Sequence, residues 1–279
     1  MPYRHAGEIG DVWKHLPLCD ILALEKPLRY HETNAAYSGY AVGHSERTDY
    51  GIFHVLDAKS LQDSKYIETL KKNGIDQGRY TGSPGLAMDI LADGAKYYFH
   101  DIEPEAIRDV LSDAKKRGLE HRAHAFCTDS VQAFLSETYK LDQDDFVFLD
   151  PYEPFDSNEQ GNSFFDIFEK ALRAGSKTLL WYGYDHLQGK TRISQHISSI
   201  ADRLKADIRC FDVWQKCMAQ DTCRINPGVP GCGLAGANLS MESFDILEKY
   251  LAIIGGLYSH AAYGAQDATL LTGSAAYAG

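Results

Sequence analysis

The 279-residue sequence contains no CxxC pair, no GxGxxG directly between a predicted strand and a helix, no P-loop and no HxH or HxxxH pair on one predicted helix. Each absence removes a class of chemistry. Cys19 and Cys127 are isolated, and Cys210, Cys217, Cys223 and Cys232 share one stretch without zinc-ligand spacing, so free thiols are expected. His5, His15, His31 and His100 form no ligand pair, and no metal is expected. Without a glycine fingerprint there is no turn to cradle the pyrophosphate of NAD or FAD; ETNAAYSGY at 32–40 is a weak substitute. No segment approaches the ~18 unbroken apolar residues of a membrane span. The opening MPYRHAGEIGDVWKHLPLC lacks the apolar centre of a signal peptide, so the expectation is a cytoplasmic protein with no membrane partner.

Basic charge is also scarce. Twenty-eight Lys and Arg stand against 39 Asp and Glu, a net charge of −11. A protein that grips phosphate backbones usually carries a basic excess or stripe, and Lys115-Lys116-Arg117 is only a short cluster at a predicted helix end. This balance argues against a nucleic-acid substrate without excluding a local basic rim. With 44% hydrophobic and 24% charged residues, the chain reads as globular and not as disordered.

What is present is alternation. LRYHET (28–33), KYYFHDI (96–102), HRAHAFC (121–127), FVFLD (146–150) and TLLWYGY (178–184) read as strands, separated by helical patterns. Pro104 opens one helix, Asp129-Ser130 opens another over VQAFLSETYK, and NSFFDIFEKALRAG (162–175) stops at Gly175. ADIRCFDVW (206–214) and AGANLSM (235–241) read as a closing strand pair. ESFDILEKYLAIIGGLY follows as a helix interrupted at Gly255-Gly256, and LTGSAAYAG is a small-residue tail. The pattern predicts a single α/β domain over 1–279 with a Rossmann-like, doubly wound sheet. More than 60 residues separate the first two strands, too many for one crossover helix, so residues 45–82 are expected to form an inserted helical subdomain. A helix capped near Ser83, with Pro84 in its first turn, then returns to the sheet.

In such sheets ligands lie beyond the carboxyl ends of the strands. Glu32-Thr33-Asn34, Asp101, Asp129 and Asp150 all fall there. Any one strand-end Asp is more often a helix N-cap than a ligand; four in series point to a site. An acid after the second strand suits ribose hydroxyls, and one after the third suits an adenine amino group. S-adenosylmethionine (SAM) fits this set because its sulfonium and amino-acid tail need no pyrophosphate turn.

YRHAGEIGDVWKH (3–15), YHETNAAYSGY (30–40), YTGSPGLA (80–87), FHDIEPEA (99–106), CTDSVQAF (127–134) and FVFLDPYEPF (146–155) resemble, in order, the motif blocks of the RlmJ-like family. These are SAM-dependent methyltransferases that modify an adenine N6 of large-subunit ribosomal RNA. TLLWYGYDH and GCGLAGANLSM look like later blocks, so the resemblance spans nearly the whole chain. It implies a class I SAM-dependent methyltransferase sheet, with Lys14, His15, Glu32, Thr33, Asn34, Ser83, Asp101, Asp129 and Ser130 around SAM. It implies catalysis at Asp150, Pro151 and Tyr152. Tyr3 and His5 match residues that cover the active site. Arg4, Tyr37, Phe155 and Trp181 are further substrate candidates.

The chain departs from that family at the centre. The family carries Asp-Pro-Pro-Tyr, where this sequence has Asp150-Pro151-Tyr152-Glu153. The lost proline removes a fixed φ and adds an N–H, which shifts the aromatic that would stack on the acceptor. Asn34 stands for a histidine, and Ala36-Tyr37 for Gly-Ala. These departures and the acidic balance predict an amine acceptor on a small molecule. Adenine-N6 methylation of rRNA is the alternative, and needs a basic rim from Arg4, Lys14, Arg29, Arg47 and Arg79. A third reading uses SAM without methyl transfer, by cyclisation, elimination or aminocarboxypropyl transfer. For it, Tyr37, Tyr152, Phe155, Trp181 and Tyr182 would form an aromatic wall around the sulfonium.

Overall fold

The computed structural model describes residues 6–219, 228–264 and 268–278. Tyr3, Arg4 and His5 lie outside them. The chain opens with helix α1 (Ile9–Glu25), then strands β1 (Arg29–Glu32) and β2 (Gly39–Ala41). Short helices α2 (Glu46–Tyr50) and α3 (Ile52–Val55), helix α4 (Lys65–Lys72) and strand β3 (Arg79–Thr81) follow. Next come α5 (Ser83–Leu91), β4 (Lys96–Asp101), α6 (Pro104–Lys116), β5 (Ala123–Cys127), α7 (Ser130–Leu135), β6 (Asp145–Leu149) and α8 (Phe164–Ala174). The chain continues through β7 (Lys177–Tyr184), α9 (Leu187–Leu204), β8 (Asp207–Gln215), β9 (Gly231–Ala237), α10 (Met241–Leu257), α11 (His260–Tyr263) and β10 (Leu270–Ala278).

Eight strands form one sheet in the order β10-β8-β9-β7-β6-β1-β4-β5. β4, β1, β6 and β7 pair in parallel, with β5 parallel on β4, whereas β9 runs antiparallel to both β7 and β8 and β10 antiparallel to β8. The chain reverses strand order between β1 and β6, the switch point where a doubly wound sheet opens a crevice. Strand β6 shows why this sheet forms here. All five of its residues are buried, as a central parallel strand requires. Phe146 and Phe148 pack with α1, α5, α6 and α10 on one face, while Val147 and Leu149 pack with α7, α8 and α9 on the other.

Helix α1 escapes sequence reading because Pro17 lies inside it and its apolar residues run nearly all round. It is held by burial: Val12, Trp13, Leu16, Leu18 and Leu22 are fully enclosed. The stretch between β2 and β4 carries α2–α4 and β3, and β3 pairs antiparallel with β2. Ser64 caps α4 by accepting from Ile67 N–H at 3.2 Å, so the helix starts seven residues later than AKSLQDSKYIETLKKNG suggests. Tyr50, Ile52, Tyr66 and Leu70 from this stretch join the apolar cluster around α1.

Several element boundaries differ from expectation. Strand β9 begins at Gly231 and ends at Ala237, because Ser240 caps α10 through Ser243 N–H at 3.2 Å and so ends the extended run early. Helix α10 continues through Gly255-Gly256. Gly255 lies where a Cβ would approach Thr272 to 3.1 Å, so the glycine serves close packing against β10 and not a break. The small-residue tail is itself β10, paired along β8 for nine residues. Ser83 is the first residue of α5, whose cap Gly82 offers no side chain. Among the described cysteines, Cys19, Cys127, Cys210 and Cys232 are free, but Cys217 is disulfide-bonded, against the expectation of free thiols throughout. No helix among the described residues is long and apolar enough to cross a membrane.

Candidate active site

A cavity of about 580 Å³ opens at the carboxyl ends of β1, β6 and β7. Helix α1 contributes Asp11, Lys14 and His15, whose i, i+3, i+4 spacing puts them on one face. The turn after β1 contributes Asn34, Ala35 and Ala36, and the start of α5 contributes Gly82 and Ser83. Asp150 and Tyr152 follow β6, Trp181 comes from β7, and Glu8 with Arg47 lines the far side.

Asp150 sits where the apolar run of β6 ends, and its backbone N–H donates to Thr33 Oγ1 at 3.2 Å, tying the tips of β6 and β1 together. Lys14 Nζ donates to Asp150 Oδ2 at 2.7 Å and pairs with Asp11 Oδ1 at 3.0 Å. The same ammonium lies 4.9 Å from the Trp181 ring centroid. Burial opposes charge on Lys14, but Asp11 and Asp150 together raise its pKa, so it stays protonated. Burial pushes Asp150 up to about 6 against the pull of Lys14, which leaves it ionised at neutral pH. Asp150 Oδ1 is buried and has no hydrogen-bond partner.

Two neighbours are held neutral. Burial drives His15 down to about 3, with the Lys14 charge adding to it. Burial pushes Glu32, which lies enclosed beneath the cavity, up to about 8, and Asp150 contributes. Glu32 Oε2 accepts from Tyr30 O–H at 3.0 Å, while Oε1 has no partner.

The turn after β1 is strained and fastened. Asn34 and Ala36 adopt φ of 54° and 52°, a region costly to residues with a Cβ. Thr33 N–H donates to Phe148 O at 3.1 Å and Ala35 N–H to His100 O at 3.0 Å. Asp101 holds the turn, accepting from Ala36 N–H and from Glu103 N–H, each at 2.8 Å. Beyond it Ile102 is 67% exposed at the end of β4, and Phe126 on β5 is exposed as well. Asp129 caps α7, its Oδ1 accepting from Val131 N–H at 2.7 Å and Gln132 N–H at 3.1 Å, with Ser130 buried behind it.

Tyr152 is clamped at three points. Its hydroxyl donates to Asp185 Oδ1 at 2.5 Å, its carbonyl accepts from Gly183 N–H at 3.0 Å, and its ring lies where a Cβ on Gly183 would come within 2.6 Å. Trp181 stands 6.3 Å from it, centroid to centroid.

The structure therefore gathers Lys14, His15, Asn34, Ser83, Asp150, Tyr152 and Trp181 around one cavity. Glu32 and Thr33 lie buried below it, Pro151 is buried beside Asp150, and Asp101, Asp129 and Ser130 line the neighbouring ends of β4 and β5. Tyr37 is not part of the cavity wall; its ring meets Tyr40 at 5.8 Å. Phe155 lies apart, packed on Phe165 and His196 beneath the Arg192 guanidinium, because the chain turns away after Pro154. Sequence reading missed Asp11, Glu8, Tyr40, Tyr80 and Asp185. The helical spacing of Asp11 to Lys14 and His15 was the available signal; the others meet through tertiary contact alone.

No protein-family model and no curated protein matches the chain. Among solved structures, protein LPL1258 from Legionella pneumophila, described under the family model DUF519, is similar over 98% of both chains, with a TM-score of 0.73 and 21% identity. An O-methyltransferase from Bacillus cereus in complex with SAH matches over 80% of each chain at a TM-score of 0.41 and 13% identity. TomG, an O-methyltransferase from Streptomyces achromogenes in complex with SAM, matches at 0.42 and 13%, over 80% of this chain and 79% of its own. The chain shares with LPL1258 the fold alone: a mixed α/β, Rossmann-like domain whose eight-stranded sheet is mainly parallel.

Proposed function

We propose that the protein is a SAM-dependent methyltransferase acting on an amine of a small molecule. The observation that carries this reading is Asp150 Oδ1, a buried, ionised, unpartnered acceptor at the head of the cavity, beside the clamped Tyr152 and Trp181. A buried carboxylate oxygen without a donor is costly unless a ligand supplies one. The order of motif blocks that resembles the RlmJ-like family supports the cofactor and the transfer.

The residues present suit SAM. Asp101, whose oxygens hold Ala36 and Glu103, would steady the ribose side from the end of β4, exposed Ile102 would meet the adenine, and the strained turn with Ser83 would take the amino-acid end. When bound, SAM supplies an electrophilic methyl group on its sulfonium. Asp150 Oδ1 would accept an N–H of the acceptor amine and so aim the nitrogen lone pair along the line of displacement. Transfer to that nitrogen would form the C–N bond as the methyl leaves the sulfur, which keeps the electron pair, and this chain's part would be to hold the nitrogen in line. The amine proton passes to Asp150, whose pKa of about 6 lets it take and release that proton near neutrality. Lys14 keeps Asp150 ionised, and Tyr152 and Trp181 present aromatic faces to the acceptor.

The cavity volume lies within the ~300–1,000 Å³ range of small-molecule sites. Among the described residues, the cations that an RNA substrate would need are otherwise engaged or distant. Lys14 is bound by Asp11 and Asp150, and Arg47 by Glu8. Arg29 pairs with Asp142 and Asp145 at the opposite end of β1, and Arg79 bonds Asn73 and Gln77. Incubation with SAM and a panel of small amines should yield S-adenosylhomocysteine and an N-methylated product. Release of methylthioadenosine would favour use of the amino-acid end instead, and methylation of rRNA fragments alone would overturn the small-molecule acceptor.

A further inference from the structure

His15 carries a polar atom that no protein group satisfies. Its side chain is 3% exposed and lines the cavity, and its Nε2 has no partner. The other ring nitrogen, Nδ1, lies 2.8 Å from Tyr80 Oη, and Tyr80 Oη lies 3.0 Å from Tyr66 Oη. Both tyrosines are fully buried, and burial drives both hydroxyls well above their ordinary pKa, so each carries its proton.

Two hydroxyl hydrogens and one imidazole hydrogen must be distributed over this row. If Tyr66 donates to Tyr80 and Tyr80 donates to Nδ1, both hydroxyl hydrogens are used and the imidazole hydrogen sits on Nε2. If Nδ1 carries the hydrogen instead, it needs Tyr80 oxygen as acceptor. Either Tyr66 or Tyr80 is then left with a buried hydroxyl hydrogen and no acceptor in the row, and Nε2 is left as a bare lone pair. The first arrangement wins, and it makes Nε2–H a donor without an acceptor.

The surroundings say what that acceptor is. Helix α5 is nine residues long, begins at Ser83 beside the cavity and has no side-chain cap, so its first N–H groups and its positive dipole end are unanswered by protein side chains. Lys14 already serves Asp11, Asp150 and the Trp181 ring, which leaves His15 as the free donor on that face of α1. We infer that Tyr66 and Tyr80 are positioning residues that lock His15 in its Nε2–H tautomer, as donor to a ligand carboxylate held at the uncapped start of α5. The inference rests on the proposed function in taking that carboxylate to be the α-carboxylate of SAM.

Imidazole ¹⁵N–¹H correlation spectra of the ligand-free protein test the relay by itself. The Nε2–H pattern is expected for His15 in the wild type and a mixture in Tyr80→Phe; an Nδ1–H pattern in the wild type overturns it. The ligand is tested by calorimetry with S-adenosylhomocysteine, which has the carboxylate, and methylthioadenosine, which lacks it. The wild type should prefer S-adenosylhomocysteine, and Tyr80→Phe and His15→Ala should each cut that preference about tenfold, the loss of one charge-assisted hydrogen bond. Unchanged methylthioadenosine affinity in the variants shows that their pocket is intact. An undiminished preference in both overturns the carboxylate assignment. If neither nucleoside binds the wild type, the methyltransferase reading falls and the carboxylate with it, while the spectra still decide the tautomer.

Discussion

Lys14 and Asp150 meet at 2.7 Å across 136 residues of sequence, joining the first helix to the tip of the central strand inside the cavity. The pair is enclosed, so its attraction works against a large desolvation cost, and removing one partner strands the other. Its chemical consequence is the tuning of Asp150.

The acid limb of the pH–rate profile should therefore fall near 6, with activity rising as Asp150 ionises. Lys14→Met removes the charge that lowers the carboxyl pKa, so the limb should move to higher pH. Asp150→Asn should abolish the limb and reduce kcat by about a hundredfold or more. Initial rates from pH 5 to 9 check all three.

Glu32 shapes stability instead. Its folded pKa of about 8 lies above its ordinary 4.5, so between those values the folded state holds a proton that the unfolded chain releases. The contribution of Glu32 to stability should be full below about 4.5, fall as pH rises through that window and level off above 8. Glu32→Gln keeps the shape of the protonated form, so its Tm should decline less than that of wild type between pH 6 and 9 in scanning calorimetry.

Gly183→Ala places a methyl group against the Tyr152 ring. Displacing the ring should cost about 1–3 kcal/mol of stability. It should raise KM for the acceptor while leaving S-adenosylhomocysteine affinity unchanged, which a urea titration and calorimetry can separate.

Asp145 provides a contrast far from the chemistry. It accepts from Arg29 and His31 at 2.5 and 2.9 Å at the opposite end of the sheet, and these partners hold its pKa below the ordinary value despite burial. Its contribution is present above about pH 3.8 and lost as pH falls further. Asp145→Asn should destabilise by about 3 kcal/mol in denaturant unfolding without changing cofactor affinity.

The sheet was legible because its strands are short apolar runs ending in polar residues. FVFLD and TLLWYGY define β6 and β7 to within a residue. Helix α1 was not legible, since Pro17 interrupts a pattern apolar on most sides, and neither was β10, whose small residues find their partner only through β8. In the site, strand-end position led to Asp150, which lines the cavity, and to Asp101, which fastens the turn beside it. It overread Phe155, which follows the same strand but packs elsewhere. Tyr80 and Asp185 act through distant partners, His15 and Tyr152, and no local pattern announces such pairings.

Helix α1 presents Lys14 to the cavity on the same turn that buries Trp13 and Leu16 completely. The backbone under the ammonium is thus anchored by fully buried side chains. An acceptor that must displace Lys14 can do so only by swinging its flexible stem, because lifting the helix would tear Trp13 from its packing. Any departure of Lys14 from Asp150 would therefore be a rotation of its own stem over Trp181, with the helix beneath staying in place.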